Sequence, residues 1–141
     1  MIRIREFRYP EDYEPSAQLW REMQKGVRFS RSDVPAEIEK KLQRDPDLFL
    51  VAEEDQKIVG TVIGGFDGRR GMVYHLAVAH SHRRQGIADA LMGELEKRLI
   101  ARGAIRAYLL VHKDNHEARA LYEKQNWTHL EDDVIYAKDI A

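Results

Sequence analysis

The stretch Tyr74-His75-Leu76-Ala77-Val78-Ala79-His80-Ser81-His82-Arg83-Arg84-Gln85-Gly86-Ile87-Ala88 joins an apolar, strand-like run to a helix start through a short polar loop. A helix N-terminus presents unpaired N–H groups and a partial positive charge, and both favour a phosphate. Gly86 lets backbone approach a ligand closely, small Ala88 keeps the next turn clear, and Arg83 and Arg84 add positive charge. Phosphate binding is therefore the chemistry on offer. A plain basic loop before a capped helix has the same short pattern, Arg-x-x-Gly-x-Ala, which arises by chance. There is no Gly-x-Gly-x-x-Gly after a strand and no Gly-x-x-x-x-Gly-Lys-Ser/Thr. The dinucleotide and nucleoside-triphosphate readings fall with them.

A second stretch is Val111-His112-Lys113-Asp114-Asn115-His116-Glu117-Ala118-Arg119-Ala120-Leu121-Tyr122-Glu123-Lys124-Gln125-Asn126-Trp127. Asp114 is expected to cap a helix from Asn115 to Gln125, with Ala118, Leu121 and Tyr122 facing inward. Asn126 is a good left-handed stop.

The elements that must position these stretches follow from periodicity. Ile2 and Ile4 alternate as a half-buried strand. A helix starts near Pro15, carries Leu19, Trp20 and Met23 on one face, and ends at Gly26. Trp20 and Met23 read as core. Ser32 or Asp33 caps a second helix with Pro35 in its first turn, Ile38 and Leu42 as its stripe, and Asp45-Pro46 as its stop. Leu48–Glu53, Lys57–Phe66 and Gly71–Val78 read as an antiparallel meander, with Asp67-Gly68 as a hairpin turn. Ile87, Leu91, Leu95 and Leu99 space as a helix closed by Gly103. Ile105–Val111, Trp127–Leu130 and Val134–Lys138 read as further strands. The expectation is one mixed α/β domain over residues 1–141.

Bulk composition agrees with that class. The 141 residues are 43% hydrophobic and 33% charged, with a formal net charge of −1 and no cysteine. A broad nucleic-acid or anionic-membrane surface is not expected. The lack of cysteine excludes a disulfide framework, a thiolate metal site and a cysteine nucleophile. The charged N-terminus lacks a signal-peptide core, and no apolar run reaches the ~20 residues of a membrane helix, so a cytoplasmic protein is expected. His75, His80 and His82 read as loop histidines, without a metal.

The two stretches together resemble the GNAT family of N-acetyltransferases, and the chain looks like its small bacterial members of YpeA type. The family's loop pattern, Arg/Gln-x-x-Gly-x-Gly/Ala, stands as Arg83 to Ala88, and its preceding Leu-x-Val as Leu76-Ala77-Val78. Its late pattern, Asn-x-x-Ala-x-x-Leu-Tyr-x-x-x-Gly-Phe, stands as Asn115, Ala118, Leu121 and Tyr122, then Asn126 for glycine and Trp127 for phenylalanine. The order of elements matches over nearly the full chain. The resemblance implies a mostly antiparallel sheet of about six to seven strands with about four helices and a cleft between splayed strands. It implies acetyl-CoA as co-substrate and a primary amine as acceptor, on a small molecule or on a protein N-terminus or lysine. A non-catalytic acyl-CoA-binding module is the alternative.

By resemblance, Leu76, Ala77 and Val78 line the pantetheine arm, and the Val78 N–H polarises the acetyl carbonyl. Arg83, Arg84, Gln85, Gly86, Ile87, Ala88 and Asp89 hold the pyrophosphate. Asn115 contacts the cofactor or simply starts a helix. Tyr122 matches the general acid; a thioester's leaving thiolate gains from a donor that is protonated at neutral pH. Some relatives place a glutamate base where this chain has Leu110. Tyr74, two residues before Leu76, is a candidate for passing a proton through water, whereas alternation sends His75 to the opposite face. Arg28 and Arg31 lie where the family's acceptor pocket often forms and are candidates for an acidic acceptor. The C-terminal strands are candidates for pairing across a homodimer.

Overall fold

Alternating apolar positions and turn chemistry account for most of the sheet. The structure, a computed structural model, describes residues 1–23 and 27–141. Strands β1 (Arg3–Glu6), β2 (Phe49–Glu54), β3 (Lys57–Phe66), β4 (Gly71–Val78) and β5 (Ala107–Leu109) lie in that spatial order. The first four pair antiparallel, and β5 joins β4 in parallel. The β2–β3 turn uses Asp55 and Gln56, both at positive φ, the geometry that suits a tight hairpin. At the β3–β4 turn, Asp67 Oδ1 accepts from the N–H groups of Arg69 and Arg70, each at 2.8 Å, and Gly68 takes φ 102°.

Helices cover both faces. On one face, α1 (Tyr13–Glu22) and α2 (Pro35–Arg44) bury Tyr13, Trp20 and Ile38 against Phe49, Val51, Ile63 and Ala77. On the other, α3 (Ile87–Arg102) buries Ile87, Leu91, Leu95 and Leu99 against Leu50, Val62 and Val73. Helix α4 (His116–Lys124) follows β5, and its Tyr122 packs on this second cluster. Two arginines clamp α3 to the turn before β2. Arg98 reaches Glu6 and the Asp47 carbonyl, and Arg102 reaches Asp45 and Asp47.

The ladder between β3 and β4 slips once. Ile63 opposes Tyr74, yet Thr61 opposes Ala77, so His75 and Leu76 together face the single residue Val62. This is a β-bulge, and His75 carries its positive φ of 50°. Thr61 pins the bulge from beneath. The Trp20 indole Nε1 donates to Thr61 Oγ1 at 2.9 Å, and that hydroxyl donates to the His75 carbonyl at 3.0 Å.

Several expectations are corrected. The described residues form five strands, not six or seven. Trp127–Leu130 and Val134–Lys138 join no strand; Val134, Ile135, Tyr136 and Ile140 are exposed. Apolar periodicity reports strand-like composition but not whether a partner edge exists, and β5 offers three residues rather than the expected seven. It is short because β4 bends away at the bulge after the Val73–Leu109 pair. Helix α1 begins at Tyr13, with Pro15 inside its first turn, and ends at Glu22; Gly26 lies outside the described residues. Neither Ser32 nor Asp33 caps α2. Ser30 caps a separate 3-10 turn, Arg31–Asp33, in which Asp33 completes a capping box, and Val34 precedes Pro35 without a side-chain cap. Asp45 ends α2, and a 3-10 turn, Pro46–Leu48, delays β2 to Phe49.

Two predictions follow from packing and charge. Thr61→Val keeps the shape but strands the buried Trp20 N–H, so urea unfolding should show a loss of about 1–3 kcal/mol. Burial alone raises Asp12, Asp33 and Asp45, but hydrogen bonds from Arg5, His75 and Lys41 outweigh it and hold all three below the usual carboxylate range. Depressed folded pKa values add stability above the unfolded value of about 3.9, lost as pH falls through the folded values. Thermal unfolding should therefore hold steady to about pH 4 and drop below it, and Asp45→Asn should flatten that drop.

Candidate active site

The loop between β4 and α3 is shaped to leave donors free. A 3-10 turn, His80–His82, leads into it; Arg84 takes φ 61° and Gly86 takes φ 80° as the left-handed cap of α3. The N–H groups from Arg84 to Asp89 meet no backbone acceptor among the described residues. Left-handed residues interleaved with ordinary ones aim successive N–H groups into one concavity, and the helix dipole adds to it. A side chain at Gly86 would meet nothing within 4 Å, so conformation rather than crowding calls for glycine there.

The edge of β4 is the second part. Thr61 opposes Ala77 and Gly60 opposes Val78, and the Ala79 N–H donates to the Val59 carbonyl at 2.8 Å. In an antiparallel ladder the bonded pairs alternate, so Ala77 and Ala79 bond toward β3. Leu76 and Val78 consequently turn their N–H and C=O groups to the opposite, unpaired side. Ala77 offers that side nothing, since its side chain is buried under α1.

Helix α4 supplies the third part. Asn115, not Asp114, is its N-cap, accepting from the Ala118 N–H at 3.1 Å through Oδ1, which leaves its amide nitrogen for a ligand. Tyr122 packs edge-on against Trp127, with ring centres 6.3 Å apart. Burial pushes its hydroxyl up to about 12, so it stays protonated at any working pH. Gln125 Nε2 donates to Asp89 Oδ1, tying the end of α4 to the first turn of α3.

The two sheet faces divide the remaining candidates. Tyr74 lies over Gly65 beside Lys41, on the α1/α2 face, and burial raises its hydroxyl. His75 does not turn away from it as alternation predicts. The bulge puts both on this face, where the His75 ring meets Trp20 edge-on with centres 5.0 Å apart and its Nε2 lies 2.7 Å from Asp33 Oδ1. Asp33 is the residue that sequence reasoning missed as a site candidate. Its Ser-x-x-Asp spacing from Ser30 marks a capped turn, but no local signal pairs it with residue 75. His82 goes to a different carboxylate, Glu54, at 2.8 Å. Arg31 meets the chain's own Asp139 at 3.7 Å and the Ala141 carbonyl, and Arg28 is exposed.

A groove of about 1390 Å³ runs along α3, β5 and α4, lined by Leu95, Leu109, Tyr122, Trp127 and Val134. It reaches Tyr122 but neither the β4 edge at Leu76 and Val78 nor the loop at 83–89. Residues 127–130 and 133–135 form part of its wall, and it is separate from the N–H groups at 84–89.

The loop, the open strand edge and the helix bearing Tyr122 all lie within the span that a family model matches. The acetyltransferase (GNAT) family model matches residues 10–127. The chain belongs to the GNAT acetyltransferase family. It is an acyltransferase by that membership and by its relatives. It is 46% identical to an acetyltransferase of Pectobacterium atrosepticum over 87% of this chain and 85% of the relative. It is 42% identical to an acetyltransferase of Photorhabdus laumondii over 97% and 94%. Its structure is similar to a ribosomal-protein-alanine N-acetyltransferase from Brucella melitensis, with a TM-score of 0.72 and 26% identity over the whole of both chains. It shares a fold with the PaiA N-acetyltransferase of Thermoplasma acidophilum in complex with coenzyme A, with a TM-score of 0.75 over 89% and 88% of the two chains. The family membership does not favour the non-catalytic alternative.

The free N–H row predicts a specific sensitivity. A β-branched residue resists φ 80°, so Gly86→Val should weaken coenzyme A binding at least about tenfold, or about 1.4 kcal/mol. Isothermal titration calorimetry measures it.

Proposed function

We infer that the chain, as one domain, moves an acetyl group from acetyl-CoA to a primary amine by direct attack with both substrates bound. The observation that carries this reading is the open β4 edge, which leads along the chain into a row of unpaired N–H groups and shares its core cluster with the tyrosine of α4. The donor set fits acetyl-CoA. N–H groups from Arg84 to Asp89 suit a pyrophosphate, and Arg83 and Arg84 add charge to them. The free backbone groups of Leu76 and Val78 suit the amides of a pantetheine arm, as an added strand would. Asn115 keeps an amide N–H group for the same ligand.

Acetyl-CoA supplies an acetyl thioester, and the residues do the rest. The Val78 N–H donates to the carbonyl oxygen and stabilises the negative charge that grows there. The amine lone pair forms the C–N bond, the C–S bond breaks, and sulfur leaves with its electron pair. Tyr122 gives sulfur its proton, and the proton released as the amide forms returns to the Tyr122 oxygen. No cysteine is present to carry the acetyl group, so the amine attacks the thioester directly. The acceptor is a small amine or a protein N-terminus or lysine.

With an amine panel, initial-rate lines for the two substrates should intersect; parallel lines would overturn the direct-attack reading. Tyr122→Phe should lower kcat about 10²-fold while leaving coenzyme A affinity near wild type, because its hydroxyl acts only as sulfur departs.

A further inference from the structure

Attack requires a neutral amine, and the acceptor arrives mostly as an ammonium ion. Something must take that first proton. Tyr74 does not serve as the base, since burial raises its hydroxyl and it keeps its proton at neutral pH. Leu110 is apolar and mostly exposed.

The bulge puts a different group at the fork. Val73 and Leu109 are the last paired residues of β4 and β5. His75 lies two residues beyond, immediately before the free edge at Leu76. It holds φ 50°, a conformation that costs an ordinary residue and that a bulge usually gives to glycine. Its ring is held on two sides and its backbone at a third point. Trp20 meets it edge-on, Thr61 fixes its carbonyl, and Asp33 Oδ1 lies 2.7 Å from Nε2. Asp33 is itself fixed: its Oδ2 accepts from the Ser30 N–H at 2.9 Å, and its carbonyl accepts from the Tyr13 hydroxyl at 2.7 Å. The Asp33 side chain is 5% exposed and the His75 side chain 20%. The carboxylate is thus sealed beneath the ring, and the ring keeps an accessible side.

We propose that His75 takes the proton from the acceptor ammonium at Nδ1, across at most one water, with Asp33 as the positioning residue. The proposal rests on the acetyltransferase reading above. Burial tends to raise Asp33, but the hydrogen bond from His75 and the Ser30 contacts keep it ionised. An ionised carboxylate at Nε2 holds that nitrogen as N–H and leaves the Nδ1 lone pair as the acceptor, the logic by which a buried carboxylate sets an imidazole's tautomer. The ammonium N–H bond breaks, its proton moves to Nδ1, and the freed lone pair forms the C–N bond at the thioester carbon. The positive charge on His75 is then balanced by Asp33, and the proton passes to solvent after transfer. The titratable group against the ring is Asp33 from the 3-10 turn; Tyr74 shares its sheet face over Gly65, and Tyr13 from α1 donates to the Asp33 carbonyl. Trp20 and Thr61 complete the enclosure without charge.

Two measurements test this. The first is a two-dimensional 15N spectrum of histidine-labelled protein with coenzyme A bound. It should show His75 as the Nε2–H tautomer with a bare Nδ1; the Nδ1–H tautomer overturns the proposal whatever the activity. The second is the pH profile of kcat/KM with an amine of known pKa. The wild type should show two ionisations on its acid side, one from the amine. His75→Asn, chosen because asparagine tolerates positive φ, should lose the other and fall about 10²-fold. It should stay folded at assay temperature, with a coenzyme A affinity close to wild type. Asp33→Asn should lower kcat/KM and shift the tautomer. A His75→Asn protein that keeps both ionisations and its rate to within about threefold overturns the assignment. A wild type that acetylates no amine overturns the acetyltransferase reading, and this one with it.

Discussion

One extra residue in β4 decides the geometry of everything that touches chemistry. At the bulge, His75 and Leu76 share one partner, and the strand both kinks and twists more sharply there. Parallel pairing with β5 cannot follow that kink and stops at Leu109. The result is a strand with one satisfied edge and, from Tyr74 to Val78, one edge that β5 does not pair. Buried backbone groups without partners are costly in water's absence, so such an edge persists only where solvent or a ligand meets it.

The bulge is not free-standing. Trp20, fully buried, and Thr61 form a chain of hydrogen bonds that ends on the His75 carbonyl. Helix α1 therefore reads the position of the kink through two donors, and the Arg98 and Arg102 clamps hold α3 across the other face. The tight packing of both layers leaves the kink one conformation. Gly64 shows how close the second layer is: a methyl group there would fall 2.5 Å from Leu95.

Much of this was legible in the sequence, and the limits are physical. The helix stripes at Leu19–Trp20–Met23 and Ile87–Leu91–Leu95–Leu99, the Asp67-Gly68 turn and the Gly103 stop are local signals, and the structure has each of them. The loop from Arg83 to Ala88 was legible because glycine and the helix start are neighbours in the chain. The bulge was not, because alternation assumes a register that only the partner strand can break. That single slip reversed the expected face of His75. Asp33 looks from its position like a cap of α2, but it closes the capping box of the preceding 3-10 turn instead; its link to residue 75 spans 42 positions and leaves no periodic trace. The segment after Asn126 has a strand's composition without a strand's partner, and composition does not distinguish the two.

The short bridge from Gln125 to Asp89 has a wider consequence than its size suggests. Asp89 belongs to the first turn of α3, whose N–H groups have no backbone partner, and Gln125 ends the helix that carries Tyr122. On the function proposed above, the two ends of acetyl-CoA would be held by parts that this hydrogen bond joins. Contacts made far from the reacting carbon can be spent on orienting the acid beside it. A thioester stripped of its nucleotide end would leave that lever unpulled, and its loss would be felt in turnover and not only in affinity.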